Sequence, residues 1–278
     1  MTEPDIKQEV RHFYDRVGWQ TEADGMYQNA QYEDLRPVSA EYIHRCHLRV
    51  TKHLKSCGKF LLDAGSGPVQ YPEYLTYSEG YQRRVCADIS PVALQEARKR
   101  LGDHGFYVVM DVAHLPFKDD AFDGVVSLHT LHHLPAAEQI LAYEDIHRVM
   151  APDSTTVVVN GWTDAPFMRR MDRLVRLMER FNRKKSLAAS PASQEKKESP
   201  SGTFVQKINI TWLINEVANH IPLEVYVWRS TSVRFLRAVI HPWLAGRLWL
   251  KLLYALEERY PRWFGENGQY PLVVIKKS

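Results

Sequence analysis

The sequence predicts an α/β protein built on an open, mostly parallel sheet, and three observations carry that prediction. Between Lys59 and Gly161, short apolar runs alternate with polar segments of helical length, the pattern of repeated strand and helix units. Five of the runs are rich in β-branched and aromatic residues, which suits strands buried on both faces. The first run ends in a Gly-Ser-Gly turn, where a parallel sheet places its ligand loops.

Taken in order, residues 1–57 form an N-terminal helical cap segment carrying Tyr14, Trp19, Tyr27, Tyr32 and Tyr42. Residues 58–162 hold the strands KFLLDA ending at Ala64, RRVCADI ending at Ile89, GFYVVMD ending at Asp111, FDGVVSL ending at Leu128 and STTVVVNG ending at Gly161. Between them, Ser90 caps a helix that opens on Pro91 and stops near Gly102 or Gly105. A second helix follows Pro135, with apolar positions at Ile140, Leu141, Ile146 and Val149. Residues 163–209 read as a basic amphipathic helix, MRRMDRLVRLMERFNRKK, and a Ser/Lys/Glu-rich linker over 184–202 that has little to bury and is expected to be mobile. Residues 210–278 give a short helix near TWLINEVANH, a strand LEVYVWRS, an apolar helix WLAGRLWLKLLYALEER and a final strand YPLVVIKK. The apolar helix must be covered. Its own chain is the first expectation, and a homodimer seam or a lipophilic or peripheral membrane contact the sharper one.

Composition narrows the function classes. In 278 residues the net charge is only +3, so no nucleic-acid partner is expected. The three cysteines, Cys46, Cys57 and Cys86, lack metal-type spacing and point to a reducing, cytoplasmic setting; Cys57 and Cys86 are expected to pack as small apolar groups. No apolar run reaches the roughly 18 residues of a membrane span.

The loop Asp63-Ala64-Gly65-Ser66-Gly67-Pro68-Val69-Gln70 follows the first strand. A bare Gly-x-Gly turn occurs in many α/β proteins, but the second strand adds Asp88, twenty-one residues beyond Gly67, where a carboxylate meets the hydroxyls of a ribose. Gln70 stands where a dinucleotide site needs glycine. Asp63 would repel a pyrophosphate but suits a ligand carrying an ammonium and a sulfonium. S-adenosylmethionine has both cations and no phosphate.

With LLDAGSGP, VCADIS, MDVAHLPFKDDAFDGVVSLHTLHHL and HRVMAPDSTTVVV in view, the stretch from Phe60 to Trp162 resembles the class I S-adenosylmethionine-dependent methyltransferases, in the group similar to the ubiquinone/menaquinone C-methyltransferases. The resemblance implies a Rossmann-like sheet of seven strands, the last antiparallel, with helical cap insertions. It also implies that Asp63, Ala64, Gly65 and Gly67 line the methionine end, Asp88 holds the ribose, Ile89 packs on the adenine, Asp111 and Val112 meet the adenine edge, and His129 flanks the transferable methyl. Val69 departs from the family's third glycine, which would widen the loop or displace the first helix. Ala151-Pro152-Asp153-Ser154 replaces a Lys-Pro-Gly-Gly turn.

The implied reaction moves a methyl group to oxygen or carbon of a small, lipophilic molecule and leaves S-adenosylhomocysteine. A macromolecular acceptor and a non-catalytic binding module are the competing readings. His129, His132 and His133 are the candidate bases. No metal is expected, because the Glu of an H-E-x-x-H site is absent. Asp123 is expected to be a structural hydrogen bonder. A cap drawn from the N-terminal region, the insert after Trp162 and the segment Thr231–Gly268 should close over an aromatic pocket, with Tyr14, Trp19, Trp162, Phe167 and Met168 as its lining.

Overall fold

Strands β1 (Gly58–Ala64), β2 (Tyr81–Asp88), β3 (Gly105–Val109), β4 (Phe122–Leu128), β5 (Met150–Val159), β6 (Leu223–Arg229) and β7 (Tyr270–Lys277) form one sheet in the order β3-β2-β1-β4-β5-β7-β6. All pairings are parallel except those of β7, which runs antiparallel to both β5 and β6. This is the seven-stranded arrangement expected, and β6 is therefore parallel to β5. The computed structural model describes residues 3–20, 27–28, 33–189 and 202–278. Tyr32 and most of the 184–202 linker lie outside them.

The helices are α1 (Glu3–Phe13), α2 (Ala40–His47), α3 (Pro72–Thr76), α4 (Pro91–Leu101), α5 (Ala136–Val149), α6 (Pro166–Ala189), α7 (Ile210–Leu213), α8 (Val233–Val239), α9 (Gly246–Arg259) and α10 (Pro261–Asn267). Local chemistry sets several ends. The Ser90 hydroxyl accepts from the Ala93 amide at 3.1 Å, Pro91 opens α4, and Gly102 ends it at φ +52°. Asp123 accepts from the Lys59 and Phe60 amides at 2.7 and 3.1 Å, tying β4 to the start of β1. Asp153, at φ +56°, takes a left-handed position that glycine ordinarily fills.

Alternate residues of the central strands feed opposite layers. Leu62, Val125, Val158 and Val273 pack beneath α5, whereas Leu61, Val126, Val157 and Leu272 pack with Val50, Tyr77 and Trp228 on the other face. A third apolar cluster joins α2, α6, α8 and α9 through Ile43, Cys46, Val175, Leu236, Leu250 and Tyr254. Cys86 is buried as expected, but Cys57 is exposed because it precedes β1 in a surface turn. The expectation that its own chain covers the apolar helix holds for one face of α9 only. Leu250 and Tyr254 are buried, while Leu248, Trp249, Leu252 and Leu256 are exposed. Among the described residues no helix is long and apolar enough to cross a membrane.

Candidate active site

The carboxyl ends of β1, β2, β3, β4, β5 and β6 share one edge of the sheet with the start of β7. A cavity of about 420 Å³ opens there. Its two halves differ in chemistry.

One half lies over β1, β2 and β3. Gly65, at φ +79°, has no room for a side chain, since a Cβ would sit 2.2 Å from Thr130 at the tip of β4. The Gly67 amide donates to one oxygen of Asp88 and the Ser90 amide to the other, both at 2.8 Å. Burial pushes the Asp88 carboxyl up to about 6, against those two amides. Each oxygen keeps a free lone pair, enough to accept a pair of ribose hydroxyls. Asp111 accepts from the Ala113 amide at 2.9 Å and from Lys7 of α1 at 2.5 Å. Burial raises its pKa, but Lys7, the Ala113 amide and His114 together outweigh it and the net shift is down. Lys7 also reaches Glu138 at 2.7 Å, and Asp15 accepts from the Ser90 hydroxyl at 2.5 Å. The N-terminal segment is thus pinned over β2 and β3 by charge, and Trp19 covers Gly67, where a Cβ would meet its ring at 3.1 Å.

The loop departs from the glycine pattern at Val69, which is buried at φ +53°. A β-branched residue in that region stores strain of about 1–2 kcal/mol. The chain then runs extended, and the first crossover helix is the single short α3 beginning at Pro72.

Three histidines follow β4, and their hydrogen bonds separate their roles. The Nδ1 of His133 lies 2.8 Å from the Phe204 carbonyl, which can only accept, so Nδ1 carries the proton. Its Nε2 then accepts from the Tyr14 hydroxyl at 2.8 Å, and both nitrogens are committed. His132 spends Nδ1 on Asn160 at 3.0 Å. Neither ring nitrogen of His129 has a hydrogen-bond partner among the described residues. His129 sits at φ +56°, edge-on to Trp228 and Tyr270 at ring separations of 5.0 and 5.7 Å. Burial lowers the His129 and His133 pKa values to about 4 and His132 well below its ordinary value.

The other half lies over β5, β7 and β6. Tyr71, Tyr74, Trp228 and Tyr270 wall it, with Lys207 and the ion pair of Glu33 with Arg229. Burial would raise the Glu33 carboxyl, but Arg229 and His47 hold it at about 2. The segment from Gly202 to Ile208 crosses this side as a strap, with the Gln206 amide on the His132 carbonyl at 2.7 Å, the Gln139 side chain on the Gln206 carbonyl at 2.7 Å and the Thr163 amide on the Ile208 carbonyl at 2.9 Å.

Of the residues that sequence reading placed here, Gly65, Gly67, Asp88, Ile89, Asp111, Val112, His129, His132, His133, Tyr14 and Trp19 line the cavity. Five do not. The Asp63 side chain is buried against Arg84 of β2, which donates through Nε at 3.1 Å and through Nη2; a fixed partner, invisible until the two strands pair, has taken the charge assigned to a ligand. Ala64 is buried within the sheet, its carbonyl accepting from Ser127 at 2.8 Å. Trp162 is core, its indole donating to the Gly265 carbonyl at 2.8 Å. Phe167 packs on Phe264 at 5.5 Å, and the Met168 sulfur accepts from the Ser232 amide. Both belong to α6, which leaves the sheet edge and turns onto α8. For the same reason no residue from Thr231 to Gly268 lines the cavity, and the third wall comes from the tip of β6 and the start of β7. Sequence reading missed Lys7, Glu33, Lys207, Trp228 and Arg229, which have no local motif. Among the described residues no group of three His, Cys, Asp or Glu side chains could hold a metal.

Residues 62–158 match the model of a family described as a methyltransferase domain. Methyltransferase GfsG of Streptomyces halstedii is 28% identical over 142 residues, 46% of this chain and half the length of that protein. Two solved structures follow the fold over nearly the whole chain. Geranyl diphosphate C-methyltransferase from Streptomyces coelicolor A3(2) has a TM-score of 0.54 at 13% identity and 98% coverage of each chain. The [4+2]-cyclase SpnF has a TM-score of 0.53 at 16% identity, covering 98% of this chain and 96% of its own. Over residues 62–158 the chain is thus similar to a methyltransferase domain, and over nearly its whole length it shares the fold of these two structures. A cyclase with the same fold shows that the fold leaves the reaction and its acceptor open.

Proposed function

We propose that this protein transfers a methyl group from S-adenosylmethionine to an oxygen or carbon atom of a small, largely apolar molecule, leaving S-adenosylhomocysteine. In this reading Asp88 accepts the ribose hydroxyls, Asp111 and the Val112 backbone meet the adenine edge, Ile89 packs on its face, and the Gly65–Gly67 backbone follows the methionine part. The ubiquinone/menaquinone C-methyltransferase-like group is the narrower placement within it.

The supporting observation is the position of His129. Its ring, with no nitrogen committed, stands at the tip of β4 between the carboxylate-bearing half of the cavity and the aromatic half. In the reaction the acceptor atom attacks the methyl carbon, the carbon–sulfur bond breaks and its electron pair stays on sulfur. An acceptor hydroxyl or acidic C–H must lose a proton, and a neutral imidazole is a base within reach. Holding donor and acceptor in line behind Tyr14, Trp19 and the strap contributes more, about 7–11 kcal/mol of the barrier. That enclosure favours a small acceptor over a macromolecule.

The test is a turnover assay with methyl-labelled S-adenosylmethionine and fractionated small-molecule extract. Label in an organic-soluble product together with S-adenosylhomocysteine supports the reading; donor binding with no transfer to any fraction rejects it.

A further inference from the structure

The two halves of the cavity carry opposite charge. Over β2 and β3 stand Asp88 and Asp111, with Asp15 and Glu138 close by, and among the described residues Lys7 is the one lysine or arginine that lines the cavity there, Arg11 pairing with Asp15 from outside it. Over β5, β7 and β6 stand Lys207 and Arg229, answered by Glu33 alone. β6 lies two strands, about 10 Å, beyond β5 along the sheet.

Lys207 has no ion pair or hydrogen bond among the described residues. Its ammonium rests against Gly161 at the end of β5, 3.5 Å from where a Cβ would stand. Two buried donors of the same wall, Trp228 Nε1 and Arg229 Nε, also lack a partner. Glu33 does not answer them: its partners among the described residues are Arg229 Nη1, which donates to it, and the His47 ring, 3.6 Å away. A buried N–H left unpaired costs about 1–3 kcal/mol, so two buried donors with no acceptor, in a cavity that also holds the exposed Lys207 ammonium, call for a ligand that only accepts.

We infer that the acceptor molecule carries an anionic group, a carboxylate or a phosphate, seated over β5, β7 and β6 against Lys207 and the Trp228 and Arg229 N–H groups. The inference rests on the methyltransferase reading of the same cavity. It makes the acceptor an anionic amphiphile, with its charged group at Lys207 and its apolar part against Tyr71, Tyr74 and Tyr270. The anion has a second effect on the site. Burial is the main cause of the low His129 pKa, and Lys207 adds to it; a counter-charge at Lys207 leaves His129 a stronger base.

The test titrates decanoate, decyl phosphate and decanol into the full chain by calorimetry, with and without saturating S-adenosylhomocysteine. At least one anion should bind roughly tenfold or more tighter than decanol, as a charged hydrogen bond implies, and the better of the two identifies the group. Lys207→Gln should bring anion and alcohol within about threefold of each other, and Lys207→Arg should keep the preference. Equal binding of the three compounds, no binding of any, or a preference that survives Lys207→Gln overturns the inference. So does a Lys207→Gln variant that loses S-adenosylhomocysteine affinity while keeping the preference, since the ammonium would then serve the cofactor's own carboxylate. Failure of S-adenosylhomocysteine to bind, with the anion preference intact, strikes the methyltransferase reading and leaves the anion site standing.

Discussion

The two halves of the cavity were built by different means. The half over β1, β2 and β3 comes from the ends of adjacent strands, so its groups are placed by the sheet. The half over β5, β7 and β6 is assembled from Glu33, Tyr71, Lys207, Arg229 and Tyr270, which meet only when the strap, β6 and β7 have docked. A site made of strand tips tolerates changes elsewhere; one made of distant pieces depends on each ion pair that holds it.

Breaking that dependence should give the largest effect. Arg229→Met leaves Glu33 buried without its counter-charge and should destabilise the fold by about 3–5 kcal/mol, measured by urea denaturation. Asp88→Ala should lower the midpoint much less, because Asp88 bonds backbone amides at a strand tip. Its effect should instead fall on S-adenosylmethionine affinity, weakened at least roughly thirtyfold in a calorimetric titration.

His129 sits between the halves and sharpens the comparison. His129→Ala should reduce turnover by roughly a hundredfold or more with S-adenosylhomocysteine affinity unchanged. His133→Ala should instead loosen the cap, raising the dissociation constant, since both its nitrogens are committed to Tyr14 and Phe204. Equal loss of turnover in both variants, at unchanged affinity, would remove the distinction.

The pH response should be smaller and signed. His129 and His133 titrate near 4 in the folded chain, below the ordinary value of 6.5. Their stabilisation is therefore complete above pH 6.5 and lost as pH falls through 4. Asp88 acts oppositely: its carboxyl is raised to about 6, so its contribution is present below pH 3.8 and lost as pH rises through 6. Two imidazoles outweigh one carboxyl, and the urea midpoint should fall from pH 7 to pH 5. A flat profile, or a rising one, would contradict the burial of these rings.

The same contrast explains what the sequence made legible. The strand runs and the Gly65–Gly67 turn with Asp88 beyond it follow from segments buried on both faces, from glycines that admit a left-handed backbone and from spacing, whereas Asp111 and His129 are reached only through the family resemblance. Asp63 was misassigned because its partner, Arg84, lies on the neighbouring strand. Trp162, Phe167 and Met168 were misplaced because aromatic and sulfur side chains signal burial without saying against what. Lys207 and Glu33 carry no periodic or motif signal, and only the docked strap and β6 give them a role.

The strap has a kinetic consequence. His132, His133, Ala136, Gln139 and Thr163 all hold it by hydrogen bonds, so a product behind it departs on this side only when several of those bonds open together. If the proposed transfer takes place behind it, product release should limit throughput, with steady-state rates slowing in viscous solvent while a single turnover does not.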